Sequence, residues 1–223
     1  EKGKRADIVL IAGQPWSDIA DVYKTDRVFV DGVQVHGPGT KLPAANGQAS
    51  MPVIKAKGPL IDDFESARSS YDTLRMDDMD GGIDRTVQVA QVINRTATDH
   101  ALSIAARMSA KDEANAGVII PLSRGSVEPV DVRVFKGVRF DLRGDGQAYD
   151  LGVNTQNGRW IAEVASGSEW RTVEVPFSAL SRTSGRGAGT GPWTGDDVLE
   201  ITIDGGRPAG EKMWLEIDNV SFY

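Results

Sequence analysis

The chain has 223 residues, of which 40% are hydrophobic and 26% are charged, as in an ordinary folded globular protein. Its formal net charge of −7 at pH 7 argues against binding to nucleic acid or to an anionic membrane, because both need a basic surface. The absence of cysteine excludes disulfides, thiolate metal sites and a cysteine nucleophile.

The first 36 residues predict one strand followed by a hairpin. Residues 6–12 form an apolar run typical of a buried strand, and a turn begins at Pro15. Residues 28–30 and 33–35 flank Asp31-Gly32, a pair that supplies the positive φ angles of a tight hairpin turn. The chain enters its first strand without a loose polar tail, so we expect it to be a fragment of a larger protein.

The segment 37–59 has the composition of a linker. It is rich in Gly, Pro, Ala, Lys and Gln and shows no apolar periodicity. We therefore predict a domain boundary here, with one domain ending at residue 36 and the next covering 60–223.

From residue 60 onward, apolar residues alternate with a period of two, which predicts β-strands. Turn signals such as Asp145-Gly146, Asn157-Gly158 and Asp204-Gly205 separate the strands. The predicted strands are 87–93, 101–108, 117–122, 130–135, 137–142, 148–155, 160–165, 170–175, 198–203 and 213–222. Many short strands with regular turn signals predict an all-β sandwich or jelly roll.

The opening segment contains three motifs in a characteristic order. They are Gly3-Lys4-Arg5-Ala6-Asp7-Ile8-Val9-Leu10, Gln14-Pro15 and Val28-Phe29-Val30-Asp31-Gly32. This order resembles the C-terminal end of the amidohydrolase superfamily, where the chain leaves a metal-dependent barrel and closes a small composite β-sandwich. The resemblance implies a parent hydrolase, with an upstream amidohydrolase domain or chain as partner.

The resemblance also implies that zinc-type metals would sit only in that absent catalytic domain. This chain has two histidines, His36 and His100, and no His-x-His pair. A hydrolytic zinc site takes about three protein ligands and a water. We therefore expect no catalytic machinery in this chain, whatever the parent protein does.

The region 60–223 contains a longer ordered run of motifs. They are Asp62-Asp63-Phe64-Glu65, Asp77-Asp78-Met79-Asp80-Gly81-Gly82, Phe135-Lys136-Gly137-Val138, Arg143-Gly144-Asp145-Gly146-Gln147-Ala148-Tyr149, Trp170-Arg171-Thr172-Val173-Glu174-Val175-Pro176-Phe177 and Leu215-Glu216-Ile217-Asp218. The run resembles the complex I intermediate-associated protein family. That resemblance implies the galactose-binding-like jelly roll, a fold shared with several carbohydrate-binding modules. The chain departs from the family pattern at Asp80 and Asp84, where the family has methionine and serine.

Strand alternation predicts a set of outward-facing polar and aromatic side chains. A face that mixes arginine, carboxylate, amide and tryptophan suits sugars, because it combines polar bonds to hydroxyls with a ring under the pyranose. The candidate ligand-binding residues are Arg139, Asp141, Arg143, Asp150, Asn154, Trp170, Glu174 and Trp214, with Thr172 and Glu216 expected beside them. The alternatives are a solvated face or a docking surface for the parent barrel.

A structural calcium is a further hypothesis. Related jelly rolls hold calcium between the first and last strands, so Asp63 or Glu65 would meet Asp218. The alternative is that these carboxylates are solvated or paired with arginine. The acidic segment containing Asp77, Asp78, Asp80 and Asp84 does not fit the spacing of an EF-hand loop.

Three other features have structural interpretations. The sequence Arg143-Gly144-Asp145 predicts a glycine-rich hairpin turn with an Asx-type bond rather than an integrin ligand. Trp16, Trp160 and Trp193 are expected to be packing residues. His100 has no nearby nucleophile, so the sequence gives no support to a catalytic triad.

The sequence thus predicts a non-catalytic accessory region of a metal-dependent hydrolase that binds carbohydrate or a protein surface. The alternative is a structural or assembly module that acts through protein contacts alone, and an independent enzyme ranks last. The sequence leaves the cellular location open, with a secreted or periplasmic one favoured.

Overall fold

The computed structural model describes residues 7–30, 32–38, 52–183 and 191–223. The chain divides into two compact units, Glu1–Ser50 and Met51–Tyr223. The strands of the described residues, in chain order, are β1 (Ile8–Ile11), β2 (Thr25–Val30), β3 (Val33–His36), β4 (Ile54–Lys55), β5 (Leu60–Asp62), β6 (Met76–Met79), β7 (Val87–Asn94), β8 (His100–Arg107), β9 (Ala116–Pro121), β10 (Val130–Asp131), β11 (Gly137–Gly144), β12 (Ala148–Thr155), β13 (Gly158–Ala165), β14 (Arg171–Pro176), β15 (Ser181–Arg182), β16 (Val198–Gly205) and β17 (Lys212–Phe222).

Helical structure in the described residues is confined to three short 3₁₀ segments. They are Ile19–Lys24, Arg124–Ser126 and Phe177–Ala179. The last directly follows Pro176, the final residue of β14. None of the described helices has the length and apolar character needed to cross a membrane.

The first unit is a three-stranded antiparallel sheet in the order β1-β2-β3. The predicted strand and hairpin are therefore present, and Gly32 has the expected positive φ of +78°. Asp31 lies outside the described residues. Asp18 caps the 3₁₀ segment between β1 and β2, accepting from the Ala20 amide at 3.0 Å. None of the described residues in this unit is buried.

An eight-stranded sheet forms one layer of the second unit. Strands β15, β13, β12 and β16 follow one another, and the far side of β16 pairs with both β9 and β10. β6 extends the sheet beyond β9, while β4 pairs in parallel with β10. β4 thus joins this unit from within the segment predicted as a linker.

A six-stranded sheet forms the other layer, in the order β14-β11-β17-β8-β7, with β5 also paired to β17. The pairing of β11 with β17 is interrupted by a register shift between Arg139 and Asp141. Asn219, on the β17 side of the shift, has a left-handed φ of +52°. Asparagine tolerates this conformation better than most residues, and such bulges re-aim neighbouring side chains.

The hydrophobic core lies between the two sheets, as the alternation predicted. Tyr149, Leu151 and Val153 of β12 face it from one layer, and Phe140 and Leu142 of β11 face it from the other. All five side chains are almost completely buried. The predicted all-β, jelly-roll sandwich is confirmed.

The longer strands match their predicted positions within about two residues, and β12 matches the predicted 148–155. The predicted strand 130–135 shrinks to Val130–Asp131, because the Val132 amide bonds to the Gly195 carbonyl and the chain then turns. Four short strands, β4, β5, β6 and β15, were not predicted. With two to four residues each, they are too short to display a period of two.

Candidate functional site

The eight candidate ligand-binding residues lie on two different sheets. Asp150 and Asn154 belong to β12 in the eight-stranded sheet. The other six belong to the six-stranded sheet or to the loop that enters it, and they are Arg139, Asp141, Arg143, Trp170, Glu174 and Trp214. The prediction of a single mixed face therefore needs correction. Alternation separates inside from outside, but it does not reveal which sheet a strand joins.

On the six-stranded sheet, a partly buried ionic network surrounds Trp170. Arg95 bonds to Asp141 at 2.8 Å and to Asp218 at 2.6 Å. The same guanidinium lies 4.3 Å from the centroid of the Trp170 ring, and the Arg143 guanidinium lies 5.1 Å from it. We call these residues, with Glu216, the Trp170 cluster. Sequence analysis missed Arg95, which lies in the β7–β8 loop and outside any alternating strand.

The polar groups of this cluster are hydrogen-bonded to one another. Arg143 bonds to Glu216 at 2.5 Å, and the Thr172 hydroxyl bonds to Asp141 at 2.6 Å. Burial would raise the pKa of Asp141, but bonds from Thr172, Arg95 and Asn219 hold that pKa below its usual value. Two guanidinium groups already lie over the Trp170 ring, so a sugar that stacked on the same face would compete with them.

Beside the cluster is a shallow depression of about 460 Å³. Its polar lining includes Arg139, Thr172 and Glu174, and its apolar lining includes Leu60 and Phe222. Arg139 and Glu174 are about half exposed and lie 3.8 Å apart, a weak surface pair. Because Asp141 lines the depression too, it brings three of the predicted ligand residues together, and Arg139 and Glu174 are the more exposed of the three.

Trp214 lies on β17, the central strand of the same sheet, and belongs to an apolar row that crosses to β8 and β7. It is 39% exposed, and its strand neighbours across the sheet are Ala105 and Val89, with Val89 58% exposed. Val87, two residues earlier on β7, is 69% exposed. The row of Trp214 is therefore apolar, but Lys212 and Arg107 lie in the row on one side of it and Glu216 in the row on the other.

The outer face of the eight-stranded sheet has a row of acidic side chains. Glu163, Asp150 and Asp204 are direct cross-strand neighbours on β13, β12 and β16. Gly117 continues the row on β9, and Asp78 ends it on β6. We call Glu163, Asp150, Asp204 and Asp78 the carboxylate row. Burial raises the pKa of Asp204 to about 6, with Arg159 opposing the rise and Asp78 adding to it.

A glycine shapes the surface next to the carboxylate row. Gly152 lies two residues after Asp150, and a Cβ at this position would come within 2.2 Å of the Thr202 hydroxyl. The missing side chain leaves room for Arg159 to reach back over the strand and bond to Asp204 at 2.5 Å. Among the described residues, this is the only carboxylate of the row with a bond to a cation, and burial also raises the pKa of Asp150.

Asn154 and Arg159, direct cross-strand neighbours, bear unsatisfied polar atoms. The Asn154 amide nitrogen donates to Glu200 at 2.8 Å, which fixes the amide so that Oδ1 is an acceptor without a partner. Arg159 donates from a terminal nitrogen to Asp204, whereas its Nε is a donor without a partner. An unpaired acceptor and an unpaired donor thus lie on facing residues. Sequence analysis missed Arg159, Glu163, Glu200 and Asp204, although alternation along their strands would have placed all of them outward.

A second depression, of about 300 Å³, lies at the β13 end of the carboxylate row. Asp150 and Glu163 line it together with Tyr149 and Arg207. The Arg207 side chain is only 10% exposed, stacks 4.7 Å from the Tyr149 ring centroid and has an Nε without a partner. This depression therefore places carboxylates and an arginine donor side by side.

The carboxylates of the calcium hypothesis do not fit a metal site. Asp218 is fully buried against Arg95, and Glu65 accepts from the His100 amide and ring. Asp63 accepts from the Glu65 amide. Within the described ranges, no group of three or more acidic or histidine side chains is arranged to hold a metal ion. Pairing with arginine, one of the alternatives stated above, describes Asp218, whereas Glu65 pairs with His100.

The remaining sequence interpretations have mixed outcomes. Asp145 accepts from the Gln147 amide at 3.1 Å, which confirms the Asx-type turn. Trp160 and Trp193 pack edge to face, with ring centroids 5.6 Å apart, as expected of packing residues. Trp16 is 81% exposed, so its prediction as a packing residue is wrong in this structure.

Asp80, where the chain departs from the family pattern, has a structural role. Its side chain is 6% exposed and accepts from the Thr86 amide at 3.1 Å and from the Ser109 hydroxyl at 3.1 Å. Lys111 lies 3.3 Å away. Although burial opposes it, these bonds hold the pKa of Asp80 well below its usual value. Through these bonds, Asp80 connects the loop between β6 and β7 to the β8–β9 turn.

Solved structures of carbohydrate-binding modules share the fold. A family 11 module of the cellulosomal cellulase Lic26A-Cel5E of Clostridium thermocellum has a TM-score of 0.56 at 15% identity, covering 73% of this chain and 92% of that one. A family 11 module from Clostridium thermocellum, in complex with a β-1,3-1,4-mixed-linked tetrasaccharide, has a TM-score of 0.54 at 18% identity, covering 74% and 94%. At these identities the likeness establishes the fold.

No curated protein matches this chain. A family match covers residues 63–203, more than half of the sequence and most of the second unit. The motifs at Asp77, Arg143 and Trp170 all lie inside it. The chain belongs to the Complex I intermediate-associated protein 30 (CIA30) family.

Proposed function

We propose that the second unit is a carbohydrate-binding accessory domain and that the outer face of its eight-stranded sheet binds the saccharide. The jelly-roll fold is that of carbohydrate-binding modules, one of which is described in complex with a tetrasaccharide. Because the fold alone does not define a ligand, the proposal depends on the chemistry of this face.

The observation that supports the proposal most is the unsatisfied pair formed by Asn154 Oδ1 and Arg159 Nε. A hydroxyl group both donates and accepts hydrogen bonds, so sugar hydroxyls are suited to an unpaired acceptor and an unpaired donor. Leaving such atoms unpaired costs about 1–3 kcal/mol each, which is free energy that a ligand recovers. Arg159 keeps 34% of its side chain exposed, but both unpaired atoms are buried, so a saccharide has to shift these side chains to reach them.

The six-stranded sheet offers less to a sugar. In the Trp170 cluster, the charged groups are already bonded to one another and the ring is covered by guanidinium groups. A sugar would have to displace existing bonds to reach them. Arg139 and Glu174 remain accessible, and they serve as controls on the opposite face.

The direct test is isothermal titration with the β-1,3-1,4-mixed-linked tetrasaccharide and with cello-oligosaccharides. We expect micromolar-to-millimolar affinity for at least one of them. Asn154→Ala should weaken binding about ten-fold, the effect of losing one hydrogen bond of roughly 1.4 kcal/mol. Glu174→Ala should leave affinity unchanged. The proposal fails if none of these saccharides binds, or if the Glu174 variant loses as much affinity as the Asn154 variant.

A second candidate function is an assembly module that acts through protein contacts. The apolar row of Val89, Ala105 and Trp214, next to the exposed Val87, is the observation that favours it. Exposed apolar patches of this kind mark protein interaction sites. Tight co-elution of the natively purified protein with another polypeptide, combined with no response to glycans, would favour this function over the first.

The first unit fits a role as the end of an amidohydrolase-type β-sandwich in a metal-dependent hydrolase. Its strands are apolar, yet none of its described residues is buried, and Ile8, Val9 and Leu10 are each about half exposed. Strands of this kind need a further sheet to cover them. Mass analysis of the natively purified protein tests this: a co-purifying upstream polypeptide supports the role, and a chain that is alone and monodisperse counts against it.

A further inference from the structure

We infer that β7 is a dimerisation edge, where a second copy of this chain adds its own β7 antiparallel and extends the six-stranded sheet across the dimer. β7 (Val87–Asn94) is the last strand at one end of that sheet. One side of it pairs with β8 along its whole length, and no strand of the described residues pairs with the other side. The free backbone amides and carbonyls of such an edge can pair with an added strand.

The composition of β7 lacks the features that keep sheet edges from pairing. Natural edge strands are very short, or contain charged residues, proline or a bulge. β7 has eight residues, none of them charged or proline, and its register with β8 has no shift. In the described part of the second unit, each other edge strand contains a charged residue, namely Lys55 in β4, Asp62 in β5, Asp77 in β6, Arg171 in β14 and Arg182 in β15.

The side chains of β7 are exposed on both faces of the strand. Val87 and Val89 on the outer face are 69% and 58% exposed, and Val92 on the opposite face is 45% exposed. None of the eight residues is buried. On the outer face, Val89 continues through Ala105 to Trp214 as the apolar row described above. A second strand at this edge therefore covers apolar side chains as well as pairing the backbone.

The order of residues in β7 favours a second copy as the partner. A two-fold axis at the edge makes the two strands antiparallel and places residues of the same face opposite one another. With Gln91 on the axis, Val89 faces Ile93 of the second copy and Ala90 faces Val92. Apolar residues then oppose apolar ones, and amides oppose amides. With the axis one residue to either side, a valine or isoleucine opposes a glutamine instead.

This dimer leaves the outer face of the eight-stranded sheet free. Because the two-fold axis is perpendicular to the six-stranded sheet, the eight-stranded sheets of both copies lie on the same side of the joined sheet. Two saccharide faces on one side raise the apparent affinity for a polysaccharide with repeated units. This consequence rests on the proposed saccharide function, whereas the dimer itself does not.

The test is sedimentation velocity of the full chain and its variants between about 1 and 300 µM. We expect the wild type to show a concentration-dependent equilibrium between monomer and dimer. Gln91→Lys and Gln91→Glu each place two like charges opposite one another on the axis, so each should weaken the dimer at least about ten-fold. An equimolar mixture of the two variants should restore the dimer, because opposite charges then meet. Such restoration also shows that both variants are folded.

The matched control makes the same two substitutions at Gln156, which is exposed in the hairpin loop between β12 and β13. Gln156→Lys and Gln156→Glu should each dimerise like the wild type. A wild type that remains monomeric at about 300 µM would overturn the inference. A dimer that persists in both Gln91 variants, or a mixture that dimerises no more than either variant alone, would also overturn it. Since no saccharide is present, each of these results leaves the proposed saccharide function to be decided by titration.

Discussion

At the scale of single residues, the two outer faces differ in how their polar groups are satisfied. Arg95 joins Asp141, the fully buried Asp218 and the Trp170 ring into one closed set of contacts. Asn154 and Arg159, on the other sheet, each keep an unpaired atom. The first arrangement stabilises the fold, and the second is suited to a ligand.

Removing the central arginine should therefore affect stability. Arg95→Ala leaves two carboxylates without their cation, and we expect a loss of about 3 kcal/mol in the free energy of unfolding, as for one broken partner of a buried pair. Arg139→Ala removes a half-exposed side chain and should cost at most about 0.5 kcal/mol. Urea denaturation measures both values. Equal losses would show that the Trp170 cluster does not stabilise the fold.

The raised pKa of Asp204 predicts a pH dependence. Its pKa of about 6 in the folded protein exceeds the usual 3.8, so the stability that it contributes is complete below about pH 4 and is lost as the pH rises through 6. Asp204→Asn cannot ionise. The free energy of unfolding of the wild type, relative to this variant, should fall by about 2 kcal/mol between pH 4 and pH 7. Urea denaturation across this range measures the difference, and a constant or rising difference would contradict the assignment.

Alternation placed individual residues correctly with respect to inside and outside. Arg139 and Asp150 both face outward while Phe140 and Leu151 are buried, as predicted. The missing information was long-range: which strands pair is set by contacts far apart in sequence. Arg95 illustrates the limit, because its partner Asp218 lies 123 residues away.

At the scale of elements, Gly152 shapes the proposed binding face within β12. A Cβ would lie 2.2 Å from the Thr202 hydroxyl and 3.3 Å from Arg159 Nε. Gly152→Ala should therefore destabilise the protein by about 1–3 kcal/mol and displace Arg159. Gly167→Ala, where nothing lies within 4 Å of the added carbon, is the matched control and should be nearly neutral. Comparable thermal unfolding of both variants would contradict this role.

The length of a strand determined whether it could be predicted from the sequence. β7, β8, β12 and β17 have eight or more residues and show clear alternation. β4 has two residues and is held by partners rather than by its own pattern: the Ile54 amide donates to the Pro129 carbonyl at 2.9 Å. Such strands follow from tertiary contacts, so local sequence cannot predict them.

At the scale of the whole molecule, β4 indicates where the second unit has to begin. Ile54 and Ala56 pack against the core, and Lys57 bonds to the Tyr71 carbonyl at 2.8 Å. A chain of residues 60–223 lacks these contacts. It should be less stable than residues 52–223 by about 2 kcal/mol, from one partly buried isoleucine and its neighbouring hydrogen bonds. Thermal unfolding compares the two, and equal midpoints would mean that β4 is dispensable.

The jelly-roll class followed from strand spacing, turn signals and family motifs, and the sandwich confirms it. The division of the candidate residues between two sheets did not follow, since it depends on the pairing order β13-β12-β16 on one side and β14-β11-β17 on the other. Sequence therefore identified Asp150 and Asn154 as outward residues, and only the fold brought Arg159, Glu163 and Asp204 beside them.

The central claim is that a saccharide binds the outer face of the eight-stranded sheet. Hydrogen–deuterium exchange, with and without a saturating oligosaccharide, tests it most directly. If the saccharide binds there, amide exchange should slow in β12, β13 and β16 and stay unchanged in β11 and β14. Slower exchange confined to β11 and β14, or no change in any strand at saturation, would contradict it.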